Sequence, residues 1–258
     1  MLKPTRARPP ADAHLPDPAM PGPYRPFTTD PGWSEAWWWL ALPVLFAVWL
    51  VAMWRVAPAW YMKWIIPEGY GILEFSQFII LLIALAIAVR LLFKPFVRKR
   101  PFVFAVTIIA VLGCIYTAGE EMSWGQHFFH WKTPEYWAMV NRQQETNLHN
   151  AYPAFEQWPR AIVTLGVVIG GILVPLAAAF FPRVRSNRLS LFLPASALLP
   201  TAVIAMVFKL AGIVHRPSEA VELYLYYFIF GYLLIFTRRI SELEAQEDAQ
   251  GVRKLLRA

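Results

Sequence analysis

Two adjacent glutamates, Glu120 and Glu121, stand at the end of a long apolar stretch of this sequence. An ionised carboxylate at the centre of a bilayer costs at least ~2.5 kcal/mol, so the pair needs partners, a proton or nearby water. On a continuing helix, Glu120, Ser123 and His127 would share one face, and Glu121 would point about 100° away. Carboxyl and hydroxyl groups can act as acid, base or nucleophile, so Glu120, Glu121 and Ser123 are candidate catalytic residues.

A second polar segment, NRQQETNLHN at residues 141–150, contains a carboxylate and an imidazole four residues apart, Glu145 and His149. His215 precedes the last apolar stretch. Imidazole and carboxylate groups are ligands for Zn²⁺, and a bound cation would relieve crowding between acids. A metal-bound water could hydrolyse an ester or amide with a glutamate as base. We therefore expect Glu145, His149 and His215 to bind a divalent metal such as Zn²⁺.

Further polar side chains are expected to line the same pocket as binding residues. They occupy the two polar segments or the ends of apolar stretches: Glu74, Gln126, Asn141, Asn147, Asn150, Lys209 and Glu222. Other interpretations stay open for some candidates. Glu120 and Glu121 could form a hydrated helix end, Lys209 could extend towards the membrane surface, and Ser123 could bond within its own helix.

The elements that must position these residues are apolar stretches of about 20 residues, the length that crosses a membrane. Hydrophobic residues make up 57% of the 258-residue chain and charged residues 16%. The stretches cover residues 37–54, 71–93, 101–123, 161–181, 189–213 and 218–237. They predict an all-α integral membrane protein, a bundle of about six transmembrane helices, with interfacial outer segments near 56–68 and 133–148.

The loop charges predict an orientation. Most Lys and Arg residues between the stretches lie on one side, which favours the bacterial inner membrane with both termini cytoplasmic. All acids between residues 37 and 237 then fall on the outer half. Residues 1–36, rich in proline, are expected to be a disordered cytoplasmic tail, 37–237 the membrane domain, and 238–258 an amphipathic helical tail.

The chain carries a formal net charge of +7, which we attribute to these loops because no nucleic-acid-binding motif is present. Membrane lipids, rather than nucleic acid, are therefore the expected partners. Partners in a larger membrane complex are a further possibility that the sequence does not identify.

The two polar segments together resemble the signature of a bacterial multi-pass membrane-protein family without an assigned activity. That signature is Gly-Glu-Glu-Ile-Ser-Trp-Gly-Gln, followed by Asn-x-Gln-x-Glu-x-Asn-Leu-His-Asn; here the segments are GEEMSWGQ (119–126) and NRQQETNLHN (141–150). Met122 replaces the isoleucine, and His127 stands where arginine is expected, which argues against His127 as an obligatory ligand. The resemblance implies a family rather than a reaction.

A weaker similarity is to the ceramidase-like membrane hydrolases, which place a Ser-x-x-x-His helix motif, an aspartate and a His-x-x-x-His pair around zinc. Ser123 and His127 have the first spacing. His215 is followed by Glu219 rather than by a second histidine, and the chain has six predicted spans where that family has seven.

We expect from these features a metal-dependent hydrolase or modifier of a lipid-like substrate. The alternatives are a non-enzymatic lipid-binding subunit of a membrane complex, or an ion- or proton-coupled transporter. The transporter has less support because the sequence shows neither repeated halves nor acids in the inner half of the predicted spans.

Overall fold

The structure, a computed structural model, describes residues 27–67, 69–181, 184 and 188–255. Within these residues all regular structure is helical, and six helices are long and apolar enough to cross a membrane. They are α1 (Trp37–Val56), α2 (Ile72–Leu92), α3 (Pro101–Glu121), α4 (Pro153–Phe180), α5 (Leu189–Ala211) and α6 (Pro217–Leu255). The predicted all-α, six-span architecture is confirmed.

Three of these helices begin at a proline: Pro101, Pro153 and Pro217. Proline suits the first helical turn because the missing N–H would have had no intrahelical partner there. The fourth span was predicted to begin at residue 161, but α4 begins at Pro153 and continues through Pro159. The first two turns of α4 carry charged side chains, so a search for apolar stretches does not include these turns.

The centre of the bundle is α6. It packs along α2 and α5, while α3 packs on α2, and α1 and α4 pack on α5. The most apolar part of α6 is 67% buried inside the protein, against 17–39% for the other five helices. The outer helices therefore turn most of their apolar side chains outward, as expected for contact with lipid rather than water.

The middle of α4 approaches α5 and α6 closely at Gly171. A Cβ atom added there would lie 2.6 Å from the ring of Phe228 on α6 and 2.7 Å from Cβ of Ala202 on α5. Small residues permit this approach, which is how membrane helices gain packing energy without a hydrophobic drive.

The predicted tail 238–258 is not a separate element, because α6 is one helix from Pro217 to Leu255. Its extension is held by ion pairs: Arg238 with Glu35 at 2.7 Å, Arg239 with Asp30 at 2.7 Å, and Lys94 with Glu244 at 2.9 Å.

Residues 27–36, assigned to a disordered tail from their sequence, therefore pack against this end of α6 and include a short helix, Trp33–Glu35. Residues 1–26 of that predicted tail lie outside the described residues.

The opposite end of the bundle gathers the ends of α1, α3 and α5 and the beginnings of α2, α4 and α6. The segments between them are folded there rather than extended. Short helices lie at Tyr61–Ile65, Gln126–Phe129, Glu135–Val140 and Leu148–Ala151. Both predicted polar segments lie at this end, which is called the site end below.

Candidate functional site

The chain reverses sharply where α3 ends. The helix stops at Glu121, and three successive residues then have positive φ: Ser123 at 46°, Trp124 at 55° and Gly125 at 105°. For residues other than glycine this conformation costs roughly 1–2 kcal/mol each. The prediction that the helix continues through Ser123 to His127 is therefore wrong, yet the turn still brings Ser123 Oγ to 3.1 Å from His127 Nε2.

Glu120 joins the end of α3 to the second polar segment. Its buried carboxylate accepts hydrogen bonds from the indole N–H of Trp124 at 2.6 Å and from the backbone N–H groups of Leu148 and His149 at 2.7 and 2.8 Å. Nδ1 of His149 lies 3.2 Å away. A carboxylate at the first turn of the short helix Leu148–Ala151 satisfies amides that have no intrahelical partner. Both carboxylate oxygens of Glu120 are thus hydrogen-bonded, and the side chain joins the end of α3 to the second polar segment.

Ser123, His127 and Glu145 form a cluster with the composition of a catalytic triad but not its geometry. The Ser123 hydroxyl donates to Glu145 at 2.7 Å, and Asn147 donates to both, each at 2.9 Å. In a triad, serine and acid contact opposite nitrogens of the imidazole. Here both approach His127 Nε2, with Glu145 at 3.4 Å, and Ser123 is completely buried. The contacts favour a structural role for Ser123 over the predicted nucleophile.

The pKa of Glu145 lies below its usual range. Burial raises that pKa, but hydrogen bonds from His127 and Ser123 and the charges of His127 and His149 lower it by more. Glu145 is therefore a carboxylate at neutral pH, and its charge supports the bonds that close the loop between α3 and α4, residues 122–152.

The loop residues that were predicted to bind a ligand mostly form hydrogen bonds to other residues of the loop. Asn141 accepts from two backbone N–H groups, of residues 143 and 145, at 2.9 and 3.2 Å and donates to Asn147 at 2.7 Å. Asn147 caps the short helix that follows, accepting from the N–H of Asn150 at 3.3 Å. Gln126 accepts from the N–H of Thr146 at 2.8 Å. Hydrogen bonds between the two polar segments thus fix their positions relative to each other.

Next to this folded loop lies a cavity of about 190 Å³, bounded by α2, α3, α4, α6 and the loop. Among the described residues, seven glutamates line it: Glu74, Glu120, Glu121, Glu145, Glu156, Glu219 and Glu222. The other polar groups in its wall include His149, Asn150, Arg160 and Tyr226. The structure therefore brings four helices and the loop together around one acidic cavity, including the predicted Glu74, Glu120, Glu121, Glu145, His149, Asn150 and Glu222.

Some of these acids are paired with a cation. Arg160 forms ion pairs with Glu222 and, at 3.1 Å, with Glu156. Glu121 differs, because in the part of the chain that the structure describes its hydrogen-bond partner is the Tyr226 hydroxyl at 2.8 Å and no cation pairs with it. The two adjacent glutamates thus have different surroundings: Glu120 is bound by the loop, and Glu121 faces the cavity.

Arg160, Tyr226, Glu156 and Glu219 were not predicted as site residues. The four-residue spacing of Glu156 and Arg160 on α4, and of Glu222 and Tyr226 on α6, was the available signal, since such pairs share a helix face.

Six predicted residues do not line the cavity: Ser123, Gln126, Asn141 and Asn147, which bond within the loop, and His215 and Lys209. The ring of His215 stacks on Trp54 with centroids 5.4 Å apart, and its carbonyl accepts from the Tyr61 hydroxyl at 3.0 Å. Lys209 is exposed on the last turn of α5. Because α6 starts at Pro217, His215 lies in the turn before it and its ring turns towards α1.

The predicted zinc site has no preformed counterpart. Among the described residues, no three His, Cys, Asp or Glu side chains are arranged to hold a metal ion. Glu145 and His149 both reach the cavity wall, but Glu145 is bonded to Ser123 and Asn147, and His149 to Glu120. A bound metal stays a prediction.

Comparisons of the chain with protein-family models, with curated proteins and with solved structures each give no match. The resemblance to the uncharacterised membrane-protein family, and the weaker one to ceramidase-like hydrolases, accordingly stay predictions.

Proposed function

We propose that the cavity at the site end binds the positively charged head group of a lipid-like molecule. The observation that carries this proposal is the composition of the lining: seven carboxyl side chains and one guanidinium group, that of Arg160, among the described residues. Arg160 is already paired with Glu156 and Glu222. Like charges in one poorly hydrated site repel, and a cation relieves that repulsion.

Glu121 is the acid that contacts the head group in this proposal. Its carboxyl takes one hydrogen bond, from Tyr226, so an oxygen is left for a ligand. Glu120, one residue away, already accepts from Trp124, Leu148 and His149. An ammonium group, with three donors, could bridge Glu121 and a second acid of the wall.

The test is equilibrium binding of dodecylamine to the purified protein in lipid nanodiscs. Glu121→Gln keeps the size of the side chain and removes the group that can ionise beside a cation, and we expect at least tenfold weaker binding, equivalent to about 1.4 kcal/mol. The matched control is Glu135→Gln, at an exposed glutamate outside the cavity, which should bind like the wild type. Equal affinity of all three proteins for dodecylamine would contradict the proposal.

A second candidate function is hydrolysis of the bound lipid-like molecule with help from a divalent cation. It is supported by the position of His149 in the same wall as Glu121 and Glu222, since imidazole and carboxylate are the ligand types of zinc. Glu121 would take a proton from water, the resulting hydroxide would attack an ester or amide carbonyl, and the leaving group would depart with a proton.

Metal analysis of the purified protein tests this second candidate. Stoichiometric zinc that is lost in His149→Ala would support it, and the absence of zinc from protein prepared in zinc-containing medium would contradict it. Binding without turnover is the behaviour expected of the alternative, a lipid-binding subunit.

A further inference from the structure

The wall that α4 contributes to the cavity has two parallel stripes. Phe155, Pro159 and Val163 recur every four residues and form an apolar stripe, and Glu156 and Arg160 form a polar stripe beside it. All five residues line the same cavity. An apolar surface and a charged surface thus adjoin within one binding space, which matches a ligand with a hydrocarbon part and a charged part.

The apolar stripe lies beside a gap in the wall of the bundle. In the part of the chain that is described, α3 packs on α2 and α4 packs on α5, and the two helices do not pack along each other. Phe155 is exposed at the outer surface, and Pro159 is partly exposed. Both belong to a helix long and apolar enough to span a membrane, so the gap between α3 and α4 faces the direction from which lipid would come.

Among the described residues, one hydrogen bond joins α3 to α4 across this gap near the site end. The hydroxyl of Tyr116 on α3 donates to the backbone carbonyl of Phe155 on α4 at 3.0 Å. One turn further along α3 lies Glu120, and both Tyr116 and Glu120 line the cavity. Loss of this hydrogen bond would leave the bonds of the folded loop in place, because none of them involves Tyr116.

We propose that the gap between α3 and α4 is a lateral entrance from the membrane. It holds the hydrocarbon chain of a single-chain cationic lipid against Phe155, Pro159 and Val163, while the head group occupies the cavity and Tyr116 acts as a latch. This inference rests on the proposed function, because the charged cavity supplies the reason for a lipid to occupy the gap.

The test uses a hexadecylamine that carries a photoactivatable diazirine in the middle of its chain, added to the full-length protein in lipid nanodiscs. After illumination, mass spectrometry maps the labelled residues. We expect labelling on the Phe155, Pro159 and Val163 stripe that excess dodecylamine lowers at least fivefold. Leu45 and Val48, exposed on α1, report contact with bulk lipid, and their labelling should not change.

Tyr116→Phe removes the latch hydroxyl and keeps the ring, so it should speed labelling of the stripe several-fold. Stripe labelling that equals that of Leu45 and Val48, or that dodecylamine does not lower, would overturn the entrance. If dodecylamine still binds in the equilibrium assay, such a result leaves the proposed head-group site intact. If dodecylamine does not bind either, both proposals fail.

Discussion

The two adjacent glutamates provide the sharpest test of the account, because the same conservative change should affect different properties at the two positions. Glu120→Gln should lower the stability of the protein, and Glu121→Gln should weaken ligand binding. Glu120→Gln replaces one carboxylate oxygen by an NH₂ group in a site whose four neighbouring groups are N–H groups or an imidazole. At least one donor would then face another donor. Glu121→Gln changes a side chain with one hydroxyl partner and a face open to the cavity.

The size of the effect follows from these contacts. A hydrogen bond to a charged group contributes about 1.5–3 kcal/mol, and an unsatisfied buried donor costs about 1–3 kcal/mol. We therefore expect Glu120→Gln to destabilise the protein by about 2–4 kcal/mol. For a protein of this size about 1 kcal/mol corresponds to about 2–4 °C in Tm, so the melting temperature should fall by at least about 4 °C. Glu121→Gln should stay within about 1 kcal/mol of the wild type, because the amide oxygen of glutamine can still accept the hydrogen bond from the Tyr226 hydroxyl.

The assay is thermal unfolding of both variants in the same detergent, followed by intrinsic fluorescence. The emission of the 12 tryptophans, Trp124 among them, reports unfolding of the whole bundle. The dodecylamine assay is run in parallel on the same preparations. A Glu120→Gln variant as stable as the wild type, together with an unstable Glu121→Gln variant, would refute the division of roles.

Three further predictions concern other parts of the molecule. Because the folded pKa of Glu145 lies below its ordinary value of about 4.3, its stabilising contribution is complete above that value and is lost as the pH falls through the folded pKa. The protection of the amides of residues 141–150 against hydrogen exchange, relative to their intrinsic rates at each pH, should therefore fall in acid, and Glu145→Gln should remove this pH dependence. Gly171→Val should destabilise the bundle by about 1–3 kcal/mol in thermal unfolding, whereas Gly113→Val, with no atom within 4 Å of its added Cβ, should not. His215→Ala should leave dodecylamine affinity within about twofold of the wild type, since the ring stacks on Trp54 outside the cavity; a tenfold loss would place His215 in the site.

The helices of this fold could be predicted from the sequence because each span needs about 20 apolar residues and the chain supplies six such blocks. Apolar blocks do not reveal the polar turns at the beginning of α4 or the continuation of α6 to Leu255. Charged side chains in these turns form ion pairs within the protein, so the turns are helical without being apolar. Arg160 on α4 and Glu222 on α6 form an ion pair although they are 62 residues apart in the chain, and spacing within one helix does not reveal such a pair.

Within the site, the sequence indicated that the two polar segments share one region. It did not indicate which acid binds the loop and which faces the cavity. That distinction depends on the reversal after Glu121, where Ser123 and Trp124 adopt positive φ. Helix propensity alone predicts continuation. The reversal is stabilised by contacts from residues more than 20 positions away, among them the bond from Ser123 to Glu145. Local pattern carries no information on such contacts, so the sequence does not tell which of Glu120 and Glu121 is bound by the loop.

The claim that an acidic cavity selects a positively charged head group is tested most directly by ligand charge at constant chain length. The measurement is the affinity of the wild-type protein in neutral lipid nanodiscs for dodecylamine, dodecanol and dodecanoate. The account predicts that the amine binds at least tenfold more tightly than the alcohol and that the carboxylate binds most weakly. Equal affinities, or tightest binding of dodecanoate, would contradict it.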